Sequence, residues 1–388
     1  MPLAINKKQR LIAGLSLNKL ADLLISTKTT LTALMLALGA PTWMIGWLVP
    51  IRESGALLPQ AFISYYLRQH KQRHVVWRLG ITVQACSVVG ILLAALFFDG
   101  AMAGGAVLFS LALLSIGRSA CSLTVKDMEA DVAQKGERGS LIGIASTVSG
   151  FATLAVAVPL FMFNDSLGTV ALAALIGFSA LIFIATLFCM WPIKTSVQSN
   201  EETGNIISVN FDSTVYKFIF VRGLFVHSAL VAPYFMVQKG DNASELLPIY
   251  IAAEALAALL SSFIWGKVAD KSAKLTLQIA GGLALTACVG LLIITNNSLI
   301  VSAILFFVLS IAHAGVRTGR KTYSLDVKEG QERTELVGFS NTAIGLILLA
   351  FGSLYAVITP LISFSVVYLM SGLLLAALVS TVILPKEK

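Results

Sequence analysis

The sequence predicts an all-α protein that crosses a membrane many times. Of its 388 residues, 57% are apolar and only 12% are charged, whereas soluble chains carry roughly 25% charged residues. The mean hydropathy of +0.85 excludes a water-soluble surface for a chain of this length. Twelve apolar stretches have the ~20 residues that a helix needs to cross the hydrocarbon layer. Because these stretches are continuously apolar, they differ from the alternating pattern of membrane β-strands.

Basic residues give the predicted spans their orientation. In chain order, spans 1 to 12 cover residues 12–37, 42–67, 75–98, 101–124, 139–163, 167–192, 215–237, 246–268, 274–295, 298–318, 334–357 and 361–384. The loops opposite the termini contain a single basic residue, Lys239. Cytoplasmic loops are rich in Lys and Arg, so we expect a multi-pass protein of the bacterial inner membrane with both termini in the cytoplasm. The same bias accounts for the net charge of +8, so no nucleic-acid partner is predicted.

The spans are predicted to form two six-helix bundles. A polar stretch from Lys194 to Ser213 has the Ser, Asn, Glu and Gly content of a linker. It separates an N-terminal bundle (1–192) from a C-terminal bundle (214–388), with a cytoplasmic linker at 193–213. This division leaves six predicted spans on each side of the linker.

The two predicted bundles repeat each other in sequence. Lys126–Gly150 aligns with Lys321–Gly345 at an offset of 195, which matches Gly143 with Gly338 and Gly150 with Gly345. A second stretch aligns at an offset of 201 and matches Glu53 with Glu254 and Leu58 with Leu259. Because each half has an even number of spans, the repeats are parallel. Parallel repeats with a substrate bound between them are a recurring plan of transporters.

Loop motifs give the chain a resemblance to a known family. Gly266, Asp270 and Lys271, which follow span 8, resemble the G-x-x-x-D-[RK] loop signature of the major facilitator superfamily (MFS). The D…RG pattern of that family is matched by Asp131, Arg138 and Gly139 and, in the second half, by Asp326 and Arg333. The resemblance covers essentially the whole chain. It implies a monomeric permease of twelve helices in two parallel repeats, whose partners are the lipid bilayer, a small-molecule substrate and protons.

The motif residues suggest a gate on the cytoplasmic side. Gly266 is expected to allow a tight turn between spans 8 and 9. Asp270 is expected to accept hydrogen bonds at the N-terminus of a neighbouring helix such as span 11, where the helix dipole favours an anion. Lys274 or Arg333 would complete this network. The alternative is that these residues are solvated surface charges.

Five charged residues lie within the first two predicted spans. Lys28, Arg52 and Glu53 stand 12 or 13 residues from the turn at Ala40, so at a rise of 1.5 Å per residue they share a depth near the membrane midplane. We therefore expect them to form one buried cluster, either in the transport path or as a purely structural pair. Asp22 lies deeper and is a candidate proton or cation site, unless Lys19 neutralises it.

Further candidates lie in spans 4, 7 and 8. Glu254 is the repeat equivalent of Glu53 but follows Ala253 rather than an arginine, which favours a protonatable group over a fixed anion. Arg118, Arg222 and His227 add positive charge in spans that line the cavity of the resembled family. Arg222 lies near a span end and can alternatively snorkel to the membrane surface.

These residues favour proton-coupled secondary transport of a small organic solute by alternating access. The excess of buried basic groups points to an anionic solute or an amphiphile with an anionic head. One alternative is efflux of drugs or cations, which the buried acidic residues would serve. Another is a non-transporting membrane receptor or assembly factor. No Walker phosphate loop, nucleophile–base pair or metal-ligand set is visible, so an enzyme, a cofactor and a bound metal are not predicted.

Overall fold

A computed structural model describes residues 6–69, 72–132, 138–162, 168–195, 213–238, 243–294, 298–327 and 330–385. These residues form helices joined by short turns, with no strand in the described ranges. Spans 3 to 6 are the helices Arg73–Phe97, Gly100–Val132, Arg138–Met162 and Thr169–Met190. Spans 8 to 11 are Ala243–Ala269, Ala273–Ile293, Leu299–Asp326 and Gly330–Ile358, and span 12 is Val367–Ser380 followed by the 3-10 turn Thr381–Ile383.

The described chain supports a polytopic all-α protein. Eight helices of the described ranges are long and apolar enough to cross a membrane, when the consecutive pieces of span 7 (Ser213–Val237) are counted as one. Span 8, which bends by 41° between Leu246–Ser261 and Phe263–Ala269, brings the number to nine. The other three predicted spans are present as shorter helical pieces. Span 2 consists of Thr42–Ile45, Leu48–Leu57 and Pro59–Gln69. Pro59 opens the last piece, a position at which the missing N–H of proline costs no hydrogen bond within the helix.

Spans 1 and 7 are interrupted at equivalent positions. Span 1, predicted as one continuous stretch, divides into Lys7–Leu24 and Thr30–Ala37, and span 7 divides into Ser213–Phe225, His227–Leu230 and Tyr234–Val237. The break in span 1 begins at Ile25 and that in span 7 begins at Val226, and these two residues correspond at the repeat offset of 201. Irregular backbone at membrane depth occurs where it is buried in protein or lines a cavity. Both breaks therefore mark the region between the two halves.

The two halves meet through spans 2 and 11 on one side and spans 5 and 8 on the other. A Cβ atom added to Gly150 would lie 2.6 Å from the side chain of Leu259, and one added to Gly345 would lie 2.7 Å from that of Leu58. Gly150 and Gly345 are repeat equivalents, as are Leu58 and Leu259. The residues that repeat in the sequence therefore form two equivalent contacts in the structure, one on each side of the interface between the halves.

Alanine at either interface glycine is expected to lower the melting temperature of the purified protein, because overpacking a fitted contact costs about 1–3 kcal/mol. Gly143 and Gly338 are the matched controls, since no atom lies within 4 Å of a Cβ atom added to either. Alanine there is expected to be neutral or stabilising, because it raises helix propensity. Thermal unfolding of the four single variants tests the contact, and equal melting temperatures would contradict it.

Candidate functional site

A cavity of about 340 Å³ lies between the two halves. Two smaller regions share part of its lining. All three regions are lined by His313 and Arg317. The basic residues of the combined lining are Lys19, Lys28, Arg52, Arg118, Arg222, Arg317 and Arg320, and its acidic residues are Asp22, Glu53 and Glu254. Seven basic groups against three acidic groups give the lining a formal charge of +4 with histidine neutral.

Asp22 is shared by two arginines of the N-terminal half. Its Oδ1 lies 2.8 Å from Nη2 of Arg52, and its Oδ2 lies 3.5 Å from Nη2 of Arg118. Arg52 is only 6% exposed, so this pairing satisfies a charge that is almost fully removed from solvent. The sequence predicted that Arg52 clusters with Glu53, but its direct partner is Asp22. Lys19, the predicted alternative partner of Asp22, contacts the hydroxyl of Ser146.

One ion pair crosses between the halves at the break in span 1. Nζ of Lys28 lies 3.9 Å from Oε1 of Glu254, and Oγ1 of Thr29 donates a hydrogen bond of 3.5 Å to Oε2 of the same carboxylate. Lys28, Arg52 and Glu53 line one region of the cavity, as the sequence predicted, but the ion pair of Lys28 is with Glu254 rather than with Glu53. Glu254 therefore has a basic neighbour, which its sequence surroundings did not predict. The sequence could not identify this pair because its two members lie more than two hundred residues apart.

Arg317 and Arg320 contribute positive charge that the sequence analysis did not place in the site. Neither guanidinium has an ion pair or a hydrogen bond with another residue of the described ranges, and the same is true of the Glu53 carboxylate. The predicted span 10 ended at residue 318, but the helix continues to Asp326, so both arginines lie well inside it. Together with His313 they follow i, i+4 and i+7 spacing, which places all three on one helix face. This spacing is the sequence signal that could have identified Arg317 and Arg320 as cavity residues.

Arg222 is buried instead of snorkelling to the surface. It is 7% exposed, and its Nη1 and Nη2 donate hydrogen bonds to Oγ of Ser340 (2.8 Å) and Oδ1 of Asn341 (2.7 Å). Asn341 in turn donates from Nδ2 to Oε1 of Gln60 at 3.4 Å. This chain is the second polar contact between the halves, because Gln60 belongs to span 2 and Asn341 to span 11.

His227 packs among aromatic rings rather than lining the cavity. Its side chain is fully buried, its Nδ1 lies 2.7 Å from the carbonyl oxygen of Leu224, and its ring centroid lies 4.5 Å from that of Phe351 and 5.9 Å from that of Tyr355. The predicted cavity histidine is thus replaced by His313. No group of three His, Cys, Asp or Glu side chains in the described ranges could hold a metal ion.

The gate motif after span 8 is arranged differently from the expectation. Gly266 lies inside the helix Ala243–Ala269, so it does not form the turn. Asp270 is exposed and has no side-chain partner among the described residues. Nζ of Lys274 donates to the carbonyl oxygens of Leu384 (3.1 Å) and Val382 (3.4 Å), which ties the start of span 9 to the end of span 12.

The repeated motif keeps its backbone placement in both halves. Asp131 and Asp326 are exposed at the ends of spans 4 and 10. Arg138 and Arg333 stand in the first turns of spans 5 and 11, and their side chains lie outside the described part of the structure. At this face Nε of Arg73 lies 3.2 Å from Oδ2 of Asp127, an ion pair that the motif did not reveal.

Among the comparisons with known proteins, solved structures match this chain and sequence comparisons do not. No protein-family model matches the chain, and no curated protein matches it. The inward-open xylose transporter XylE from E. coli matches with a TM-score of 0.71 at 15% identity, covering 98% of this chain and 95% of that one. The nucleoside transporter NupG matches with a TM-score of 0.71 at 13% identity, covering 98% of each chain. A POT family transporter in complex with a thioalcohol-conjugated peptide matches with a TM-score of 0.70 at 12% identity, covering 97% of this chain and 94% of that one.

These matches confirm the predicted fold class. The chain shares the all-α fold of these solved structures over nearly its whole length, and the proteins in those structures are transporters. At 12% to 15% identity the likeness concerns the fold, so the substrate has to be argued from the cavity of this chain.

Proposed function

We propose that this protein is a secondary transporter that moves a small organic anion, or an amphiphile with an anionic head, by proton-coupled alternating access. The observation that carries the proposal is the pair Arg317 and Arg320, two guanidinium groups in the cavity without a counter-charge in contact among the described residues. Buried or half-buried charges are costly unless they are paired. A carboxylate or phosphate offers arginine the planar, two-bond geometry that it prefers, so such a ligand supplies the missing partner.

The remaining charges of the cavity support the same ligand class. Asp22 forms ion pairs with Arg52 and Arg118, and Glu254 forms one with Lys28. Glu53 is the acidic group of the cavity lining without an ion pair in the described ranges. An effective dielectric far below that of water strengthens the field of the surplus positive charge. Efflux of drugs or cations, the rival function, would need acidic groups that are free to bind a cation, and most of those in this cavity are already paired.

Two contacts between the halves are the proposed points of coupling between substrate and conformation. Lys28–Glu254 and Gln60–Asn341 both join one half to the other, so both have to change when the halves rock. An anion bound in the cavity would compete with Glu254 for Lys28 and would weaken that contact. We propose that the bundles 1–192 and 214–388 move as units, with the cytoplasmic face being the one that carries both termini. Most of the connecting linker, residues 196–212, lies outside the described ranges.

Uptake into proteoliposomes tests this function. The purified protein is offered labelled glutamate, citrate, gluconate and inorganic phosphate, with glucose as a neutral and tetraethylammonium as a cationic comparison, each with and without a pH gradient. We expect accumulation of at least one anion, increased by the gradient, and none of the other two solutes. Accumulation of tetraethylammonium alone would support cation efflux, and no movement of any solute would support a receptor or assembly factor.

A further inference from the structure

His313 presents one defined ring nitrogen to the cavity. Oγ of Ser228 lies 3.1 Å from Nδ1 of His313 and 2.9 Å from the carbonyl oxygen of Phe225. A carbonyl oxygen can only accept, and the shorter of the two contacts is the one to Phe225, so we assign the single hydroxyl hydrogen of Ser228 to that contact. With this assignment the Ser228 oxygen accepts from Nδ1–H of His313. In the neutral ring this leaves Nε2 with a free lone pair, able to take up a proton.

The position of His313 makes that lone pair relevant to ligand binding. The ring lines all three regions of the cavity together with Arg317. Spans 9 and 11, which also pack against span 10, add no charged group to the described lining. The charged groups that share the three regions with the ring are Lys19, Asp22 and Lys28 of span 1, Arg52 and Glu53 of span 2, Arg118 of span 4, Arg222 of span 7, Glu254 of span 8, and Arg317 and Arg320 of its own helix.

The balance of these neighbours links protonation to occupancy. Seven positive groups against three negative ones oppose a further positive charge on the ring while the cavity is empty. An anion held by Arg317 and Arg320 would offset their charge beside the ring, because a negative charge nearby favours the protonated imidazolium. Anion and proton would then bind together, each favouring the other by the same free energy, as linkage requires.

We infer that His313 carries the proton that accompanies the anion, an inference that rests on the proposed function. On the side from which the anion enters, Nε2 forms a bond to one proton taken from solvent water. On the other side the anion leaves and the N–H bond breaks, which returns the proton to water and the ring to its neutral form. One anion and one proton thus cross together, and nothing is oxidised or reduced.

The test measures anion and proton movement in the same vesicles. Proteoliposomes containing a trapped pH-sensitive dye receive an inward gradient of whichever of glutamate, citrate, gluconate or phosphate the wild type accumulates, with the membrane potential clamped. His313→Asn keeps a donor for Ser228 but has no titratable nitrogen. We expect it to lose anion-driven acidification of the lumen while keeping anion counterflow, which needs no net proton movement. If His313→Asn elutes as an aggregate, His313→Gln takes its place.

His227→Asn is the matched control, because that histidine is buried among aromatic rings away from the described cavity lining. It is expected to retain both acidification and counterflow. Acidification by His313→Asn at the wild-type ratio to anion uptake would overturn the assignment of the proton to His313 and leave the transport of anions standing. A wild-type protein that moves no anion would overturn the proposed function and, with it, this inference.

Discussion

Replacing Asp22 with asparagine is expected to cause the largest loss of stability of any single charge change in the cavity. The substitution leaves Arg52, 6% exposed, and Arg118 without the carboxylate that they share at 2.8 and 3.5 Å. Removing one partner of a buried ion pair costs about 3–5 kcal/mol, because the remaining charge stays buried without compensation. Thermal unfolding of the purified protein in detergent should show a melting temperature well below that of the wild type.

Two further variants make this expectation specific to the ion pair. Asp99→Asn removes an exposed carboxylate between spans 3 and 4 and should leave the melting temperature unchanged. The double variant Asp22→Asn/Arg52→Gln removes both charges of the short contact, and it should recover part of the loss, as expected for residues that are energetically coupled. A single variant as stable as the wild type, or a double variant whose losses simply add, would contradict a stabilising role for the pair.

Sequence patterns predicted the depth of the buried charges better than their partners. Counting from the turn at Ala40 placed Lys28, Arg52 and Glu53 at one level, and all three line the same region of the cavity. The counting considered only the hairpin of spans 1 and 2, so it selected Glu53 as their partner. In the structure Lys28 faces Glu254 of the other half. Such a contact depends on how the two repeats pack, which the spacing within one hairpin does not contain.

Helix ends were the second source of error. The apolar window for span 10 stopped at residue 318 because Arg317, Arg320 and Lys321 lower its hydropathy, yet the helix runs to Asp326. A polar helix face that lines a cavity looks, in a hydropathy profile, like the end of a span. Hydropathy also made span 1 look continuous, since its break at Ile25–Thr29 contains one isoleucine, three small hydroxyl residues and Lys28, none of which by itself ends a helix.

The internal repeat was the most informative sequence signal. Its alignment pairs Gly150 with Gly345 and Leu58 with Leu259, and the folded chain brings these four residues into two equivalent contacts. A repeat preserves the pattern of packing between the halves, because the same surface is used twice. It does not preserve charge, since most charged residues of the cavity have no charged equivalent at the matching position of the other half. For this reason the fold could be predicted and the site only in part.

Neutralising Arg317 or Arg320 is expected to weaken anion binding roughly ten- to a hundredfold, because hydrogen bonds to charged groups contribute about 1.5–3 kcal/mol and each 1.4 kcal/mol is a factor of ten. Neither guanidinium has an ion pair or a hydrogen bond in the described ranges. Glu53 lines the same small region as both arginines, so after either Arg317→Gln or Arg320→Gln that carboxylate still has the other arginine in its region. The folded protein should therefore tolerate both changes, unlike the loss of Asp22. The measurement is the half-saturating concentration for uptake of the accumulated anion.

Lys321→Gln is the matched control on the same helix, since Lys321 is exposed and lines none of the three cavity regions. It removes one positive charge from the protein but none from the cavity. This variant therefore isolates the effect of net charge on the local anion concentration. We expect its half-saturating concentration to equal that of the wild type. If all three variants weakened uptake equally, the arginines would act only through the overall field of the protein. If Arg317→Gln and Arg320→Gln bound the anion as tightly as the wild type, the ligand would have to sit elsewhere in the cavity, and the assignment of an anionic substrate to this pair would be wrong.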